Sequence, residues 1–209
     1  MAGAALYFPD YASVPESKRH LELRTLAWQF LKRAFSDVAA VGCDQFVYWD
    51  ETNPRLWLAP DAFVCFGDPD SLFATWKTWE RGVPHVAVEF LSKSEHRAAV
   101  PSKLAHYLRL GVSELVFFDA DAAQPLRIWD LLHGKLVERS LTSAPTESRY
   151  LPGFWLAQDQ PGIGMALRLS RDAHGSRLYL TPAEHAEAQR SDAEARIREL
   201  EAELARRSS

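Results

Sequence analysis

Pro84-His85-Val86-Ala87-Val88-Glu89-Phe90-Leu91-Ser92 is a β-rich run of strand length with one carboxylate set into it. Ala59-Pro60-Asp61-Ala62-Phe63-Val64-Cys65-Phe66 repeats the design, with Asp61 at the polar mouth of an apolar segment. An ionised carboxylate buried without compensation would normally protonate, so two at the ends of neighbouring strands imply a cation, hydrogen bonds or both. Taken alone, Asp61 reads as a turn residue after proline. Glu89, between Val88 and Phe90, is harder to explain without a partner.

Outward from these runs, Leu23, Leu26, Ala27, Phe30, Leu31 and Ala34 recur at helical spacing over residues 17–35, predicting an amphipathic helix against a sheet. Short runs at 38–41, 45–49, 56–58 and 63–66, separated by Asn53-Pro54 and other turn signals, suggest an antiparallel meander. Residues 67–82 read as a loop with one short helix. Residues 94–110 read as a second helix, with Pro101 marking its true start and Gly111 closing it. The nearly all-apolar Leu115 to Phe118 fits a central strand covered on both faces. Residues 126–132 and 136–141 look like a terminal hairpin. The succession helix, strands, helix, strands predicts an α/β domain with a mixed, mainly antiparallel sheet flanked by helices.

The chain has 209 residues, 47% of them hydrophobic and 25% charged, with 7 Trp and 11 Phe to fill a core. That suffices for one well-cored domain and an appendage. We place the domain at 1–181 and a charged helical tail at 182–209, where composition shifts to Ala, Glu and Arg and where Ala186, Ala193, Ile197, Leu200 and Leu204 fall near a heptad seam. The net charge of −4 argues against nonspecific coating of nucleic acid but leaves room for a local basic groove. Two isolated cysteines, no secretory signal pattern and no apolar run of membrane-spanning length predict a cytoplasmic protein with no membrane partner. The scattered His and Cys offer no zinc spacing.

In order and kind, Pro60-Asp61, Glu89 on a strand, and a following helix bearing Lys103 and Tyr107 resemble the PD-(D/E)XK nuclease superfamily, and more closely the Uma family of restriction-endonuclease-like proteins. The similarity runs from about His20 to Leu141. It implies a restriction-endonuclease-like sheet and metal-dependent hydrolysis of nucleic-acid phosphodiester bonds, DNA foremost. Asp61 and Glu89 would hold Mg2+ or Mn2+. Lys103 would position water or phosphate, and Tyr107, one turn further on, would support it. Leu91 stands two residues after Glu89, where the superfamily pattern has lysine, so the lysine must come from the helix; Lys103 is preferred and Lys93 is the rival. Ala99 stands where family members often carry an acidic residue. The alternative implied by these departures is an inactive module that binds nucleic acid or a protein.

The family often shows a histidine or acidic residue on its first helix. His20 and Glu22 are the candidates there, with Glu16 weaker; His20 reads more simply as a capping or packing residue, and Glu22 as solvated. Asp44, Asp50 and Glu51, and Asp119 with Asp121, read as loop solvation, and His133 and His174 as turn residues. Trp76 and Trp79 could stack on bases, but the spacing better suits a core edge. A homo-oligomer through the core or the tail is a further reading.

Overall fold

Strands that alternate their side chains between two apolar faces need a cover on each, and the chain supplies it. The computed structural model describes residues 7, 17–67, 70–91 and 100–207. Among them, the main sheet has six strands in the order β1 (Ala39–Gly42), β4 (Ala62–Phe66), β6 (Val86–Phe90), β7 (Glu114–Phe118), β8 (Leu126–Leu132) and β9 (Lys135–Glu138). Every neighbouring pair is antiparallel except β6 and β7. Those two are joined through a helix, α3 (Val100–Leu110), the kind of crossover that parallel strands require. The sheet is therefore mixed and mainly antiparallel, flanked by helices, as the sequence predicts.

Period-two alternation sorts the core into two clusters. Ala62, Val64, Val86, Val88, Phe90, Val116 and Phe118 pack with Leu26, Phe30 and Leu31 of α1 (Lys18–Phe35). The intervening Phe63, Cys65, Ala87, Leu115 and Phe117 pack with Val100, Tyr107 and Leu110 of α3. Asp61 and Glu89 fall on the α3 parity of their strands. Ser17 caps α1 by accepting a hydrogen bond from the His20 N–H at 3.2 Å, while Lys32 and Arg33 suit its carbonyl end.

The expected meander is instead two sheets. β1 pairs with β4, and the strands between them, β2 (Phe46–Tyr48) and β3 (Trp57–Leu58), turn away to join β5 (Thr75–Lys77), which runs parallel to β2. Asp44 has φ 62°, and its N–H bonds the Pro60 carbonyl at 2.9 Å, closing the base of this excursion just before Asp61. Residues 67–82, read as a loop with one short helix, contain that helix, α2 (Thr78–Arg81), and also the strand β5. Trp76 is fully buried and donates its indole N–H to the Gly82 carbonyl at 2.8 Å, so it belongs to the core; Trp79 is partly exposed.

Nor is the β8–β9 hairpin terminal. A third sheet follows, of β10 (Thr146–Glu147), β11 (Phe154–Gln160) and β12 (Gly164–Ser170). It adds Trp155, Leu167 and Leu169 to the α1 side of the core. Glu114, at the start of β7 and wholly enclosed, fastens it: one oxygen accepts from Ser148 Oγ at 2.6 Å and Trp155 Nε1 at 2.8 Å, the other from the Arg149 N–H at 2.8 Å and Arg139 Nη2 at 2.6 Å. Arg139 also binds Asp130 through Nε at 2.7 Å. A buried carboxylate so completely partnered is held fixed.

The chain divides into the units Met1–Tyr179 and Leu180–Ser209. The second is the helix α4 (Pro182–Arg207). A reciprocal capping box starts it, Glu184 N–H to Thr181 Oγ1 at 3.2 Å and Thr181 N–H to Glu184 Oε2 at 2.7 Å, with Pro182 in the first turn. Among the described residues no helix is long and apolar enough to cross a membrane.

β1 ends at a glycine for a steric reason: a Cβ on Gly42 would lie 2.0 Å from Phe63 Cε1. Gly42→Ala is therefore expected to cost about 1–3 kcal/mol through overpacking, read as a lower urea midpoint at unchanged slope. An unchanged midpoint would mean that the Phe63 ring moves aside freely.

Candidate active site

β4 and β6 run antiparallel, with Ala62 opposite Val88, so the residue before β4 and the residue after Val88 meet at one end of the sheet. Those residues are Asp61 and Glu89, both buried. The ladder breaks off at this point, and a side chain takes over. Asp61 Oδ2 accepts the Phe90 N–H at 2.7 Å, which satisfies a buried donor and fixes the carboxylate plane. Its other oxygen lies 2.8 Å from His20 Nε2, brought in from the first turn of α1.

Glu89 faces α3. Lys103 Nζ is 2.7 Å from Oε2, and the Tyr107 hydroxyl donates to Oε1. Residues four apart on a helix share a face, so Lys103 and Tyr107 grip the two oxygens from successive turns. Tyr107 is 1% exposed, and Leu110 and Val100 bury the same side of the helix. The lysine ammonium keeps partial access to water.

Burial foremost, and then the charge of Asp61, raise the Glu89 carboxyl from its ordinary 4.5 to about 7, against the opposing pull of Lys103 and Tyr107. Burial and the neighbouring Glu89 hold the Tyr107 phenol well above its ordinary 10. Tyr107 is thus a fixed donor and no base. The site is short of positive charge even with one lysine in it.

The donor set suits a hard divalent cation. Two carboxylates offer oxygen ligands, each oxygen keeps lone-pair capacity beyond its present bond, and Glu89 would gain from a second cation. Among the described residues no three His, Cys, Asp or Glu side chains gather into a ready-made cage.

All four residues that the sequence singles out, Asp61, Glu89, Lys103 and Tyr107, come together here. Lys93, Ala99 and Glu16 lie outside the described residues. His20, a first-helix candidate by the family pattern that reads more simply as a capping or packing residue, donates its backbone N–H to Ser17 and also reaches Asp61 with its ring. Glu22 is exposed. Of the other acidic residues, Asp44 pairs with Arg24 at 2.7 Å, Asp50 accepts from the Thr52 N–H at 2.8 Å, and Asp121 pairs with Arg19 at 2.7 Å.

Residues 11–159, well over half of the chain, match the family model Uma2, described as "Putative restriction endonuclease". The chain belongs to the Uma2 family. Among solved structures, this Uma2 chain is similar to one from Anabaena variabilis ATCC 29413 described as "a putative nuclease belonging to DUF820", with 13% identity, 71% of this chain and 79% of that chain covered, and a TM-score of 0.48. A comparison with the curated proteins finds no match.

The raised Glu89 carboxyl carries a signed pH dependence. Between 4.5 and about 7 the folded chain holds a proton at Glu89 that the unfolded chain has released, so stability falls as pH rises through that window. Glu89→Gln removes this titration. In chelator, urea midpoints should show the variant gaining on the wild type from about pH 5 to about pH 8. A difference independent of pH would contradict the assignment.

Proposed function

We propose that the chain is a divalent-metal-dependent endonuclease that hydrolyses phosphodiester bonds in nucleic acid, with DNA the foremost substrate. The observation that carries the reading is the meeting of Asp61, Glu89, Lys103 and Tyr107 at one sheet end, with Glu89 held short of full ionisation near neutral pH. Membership of a family described as "Putative restriction endonuclease" supports the same class of chemistry.

Asp61 and Glu89 would hold magnesium or manganese, which when bound lowers the pKa of attacking water and offsets charge on the phosphate oxygens. The chain's own residues supply the rest. The Phe90 N–H and His20 fix the orientation of Asp61, and Tyr107 fixes that of Glu89, so neither carboxylate must reorganise when substrate arrives. Lys103 ends in three rotatable donors that reach Glu89 and solvent alike. In the reaction it donates to the attacking water or to a nonbridging phosphate oxygen. The water oxygen forms a bond to phosphorus as the bond to the leaving oxygen breaks; the water's proton passes to solvent, and the leaving oxygen takes up a proton from solvent to depart as a hydroxyl.

Plasmid nicking with magnesium or manganese tests this. Asp61→Asn, Glu89→Gln and Lys103→Met should each lower the rate by about a hundredfold or more; Tyr107→Phe, which keeps the packing, should lower it by roughly tenfold. Nicking that persists in both carboxylate variants would sink the proposal.

One feature favours a second reading, a nuclease-fold module that binds without cleaving. Both Glu89 oxygens are already engaged, by Lys103 and Tyr107, so the pair has a self-sufficient arrangement. Calorimetric titration with magnesium and with manganese separates the readings. The enzyme should bind ions in a manner lost in Glu89→Gln, whereas the module should give no ion heat but retain nucleic-acid binding.

A further inference from the structure

Helix α4 carries its apolar residues where nothing in its own unit covers them. Ile197, Leu200 and Leu204 are 55, 43 and 64% exposed, and no residue of the helix is buried. Their spacing is that of a heptad seam: Ala183, Arg190, Ile197 and Leu204 at one core position, and Ala186, Ala193, Leu200 and Arg207 at the other. We propose that α4 joins two copies of this chain as a parallel, two-stranded coiled coil.

Three observations fix the occupant as a second copy in that orientation. The first concerns the flanks of the seam. On one side stand Glu187, Glu194 and Glu201; on the other, Gln189, Arg196 and Glu203. Parallel strands set each residue of the second flank against the residue five further on in the other chain's first flank, so Arg196 meets the partner's Glu201, twice by symmetry, and Gln189 meets the partner's Glu194 without repulsion. Antiparallel strands would align the all-glutamate flanks with each other, acid against acid.

The second observation is core shape. Ile197 occupies the position where β-branched side chains favour two strands, and Leu200 the position where leucine does. The third is the polar residue in the seam. Arg190 would bring like charges together, yet within its own helix it is already matched by Glu187 at 2.8 Å and Glu194 at 3.9 Å. A polar seam residue of this kind costs stability and sets register. Arg207, at the last seam position, is likewise matched by Glu203 at 2.6 Å. With these pairs made inside each helix, the stripe from Ala193 to Leu204 is what remains to be covered.

Sedimentation equilibrium of the full chain over a range of concentration tests the proposal. The expected result is reversible formation of a species of twice 23.6 kDa. Ile197→Asp with Leu204→Asp should weaken it by roughly a hundredfold, while Ala195→Glu, on the outer face, should leave it unchanged. Because those side chains are exposed in the monomer, the variants should keep the wild-type thermal midpoint at concentrations too low for the dimer to form. Orientation is read separately with Leu200→Cys in the otherwise unaltered chain. Oxidation should give a reducible dimer in high yield, since in a parallel pair the two residues at this position face each other. A monomer at all concentrations, a dimer indifferent to the paired aspartates, a trimer, or failure of the cysteine variant to cross-link would each overturn the proposal.

Discussion

Two carboxylates share the end of one antiparallel strand pair, and the local architecture is arranged around that meeting. Antiparallel pairing of β4 with β6 makes it unavoidable, because Ala62 opposite Val88 carries Asp61 and Glu89 to the same edge. The α3 cluster supplies the phenol and ammonium that Glu89 needs, and the first turn of α1 supplies a ring nitrogen for Asp61. The two helices cover opposite faces of the sheet, yet both reach this rim, because the strands end there and the faces cease to be separate.

Glu114 shows what the same residue type becomes with a full set of donors. It lies on the strand next to β6, at the other end of the sheet, and is at least as buried as Glu89. Four donors, one a guanidinium, surround it, and it fastens the third sheet to the first. Glu89 has two donors and a second carboxylate nearby. The contrast separates a carboxylate used as a rivet from one left with unmet electrostatic demand, and only the second arrangement offers a place for incoming charge.

Much of this was readable in the residues. The alternating apolar runs around Glu89 and Asp61, the helical periodicity of residues 17–35, and the helix beginning near Pro101 each follow from local spacing, and they set most of the main sheet; Lys103 and Tyr107 stood out only through the family resemblance. What escaped is nonlocal. That β2 and β3 leave the main sheet depends on a left-handed residue at Asp44 and on where Pro60 offers its carbonyl. The parallel pairing of β2 with β5 joins segments about thirty residues apart. β11 and β12 lie in a stretch whose weak alternation made no strand evident, and they are ordered by burial of Trp155 against Glu114. His20 could be placed on a helix from sequence, but no spacing rule says that its ring meets residue 61.

Asp61 answers for a backbone amide as well as for any ligand. Its Oδ2 stands in for the carbonyl that the next rung of the β4–β6 ladder would have provided, so a chain that lost this carboxylate would orphan the Phe90 N–H inside the sheet. Selection for folding alone would therefore keep an aspartate at this position long after any chemistry had lapsed.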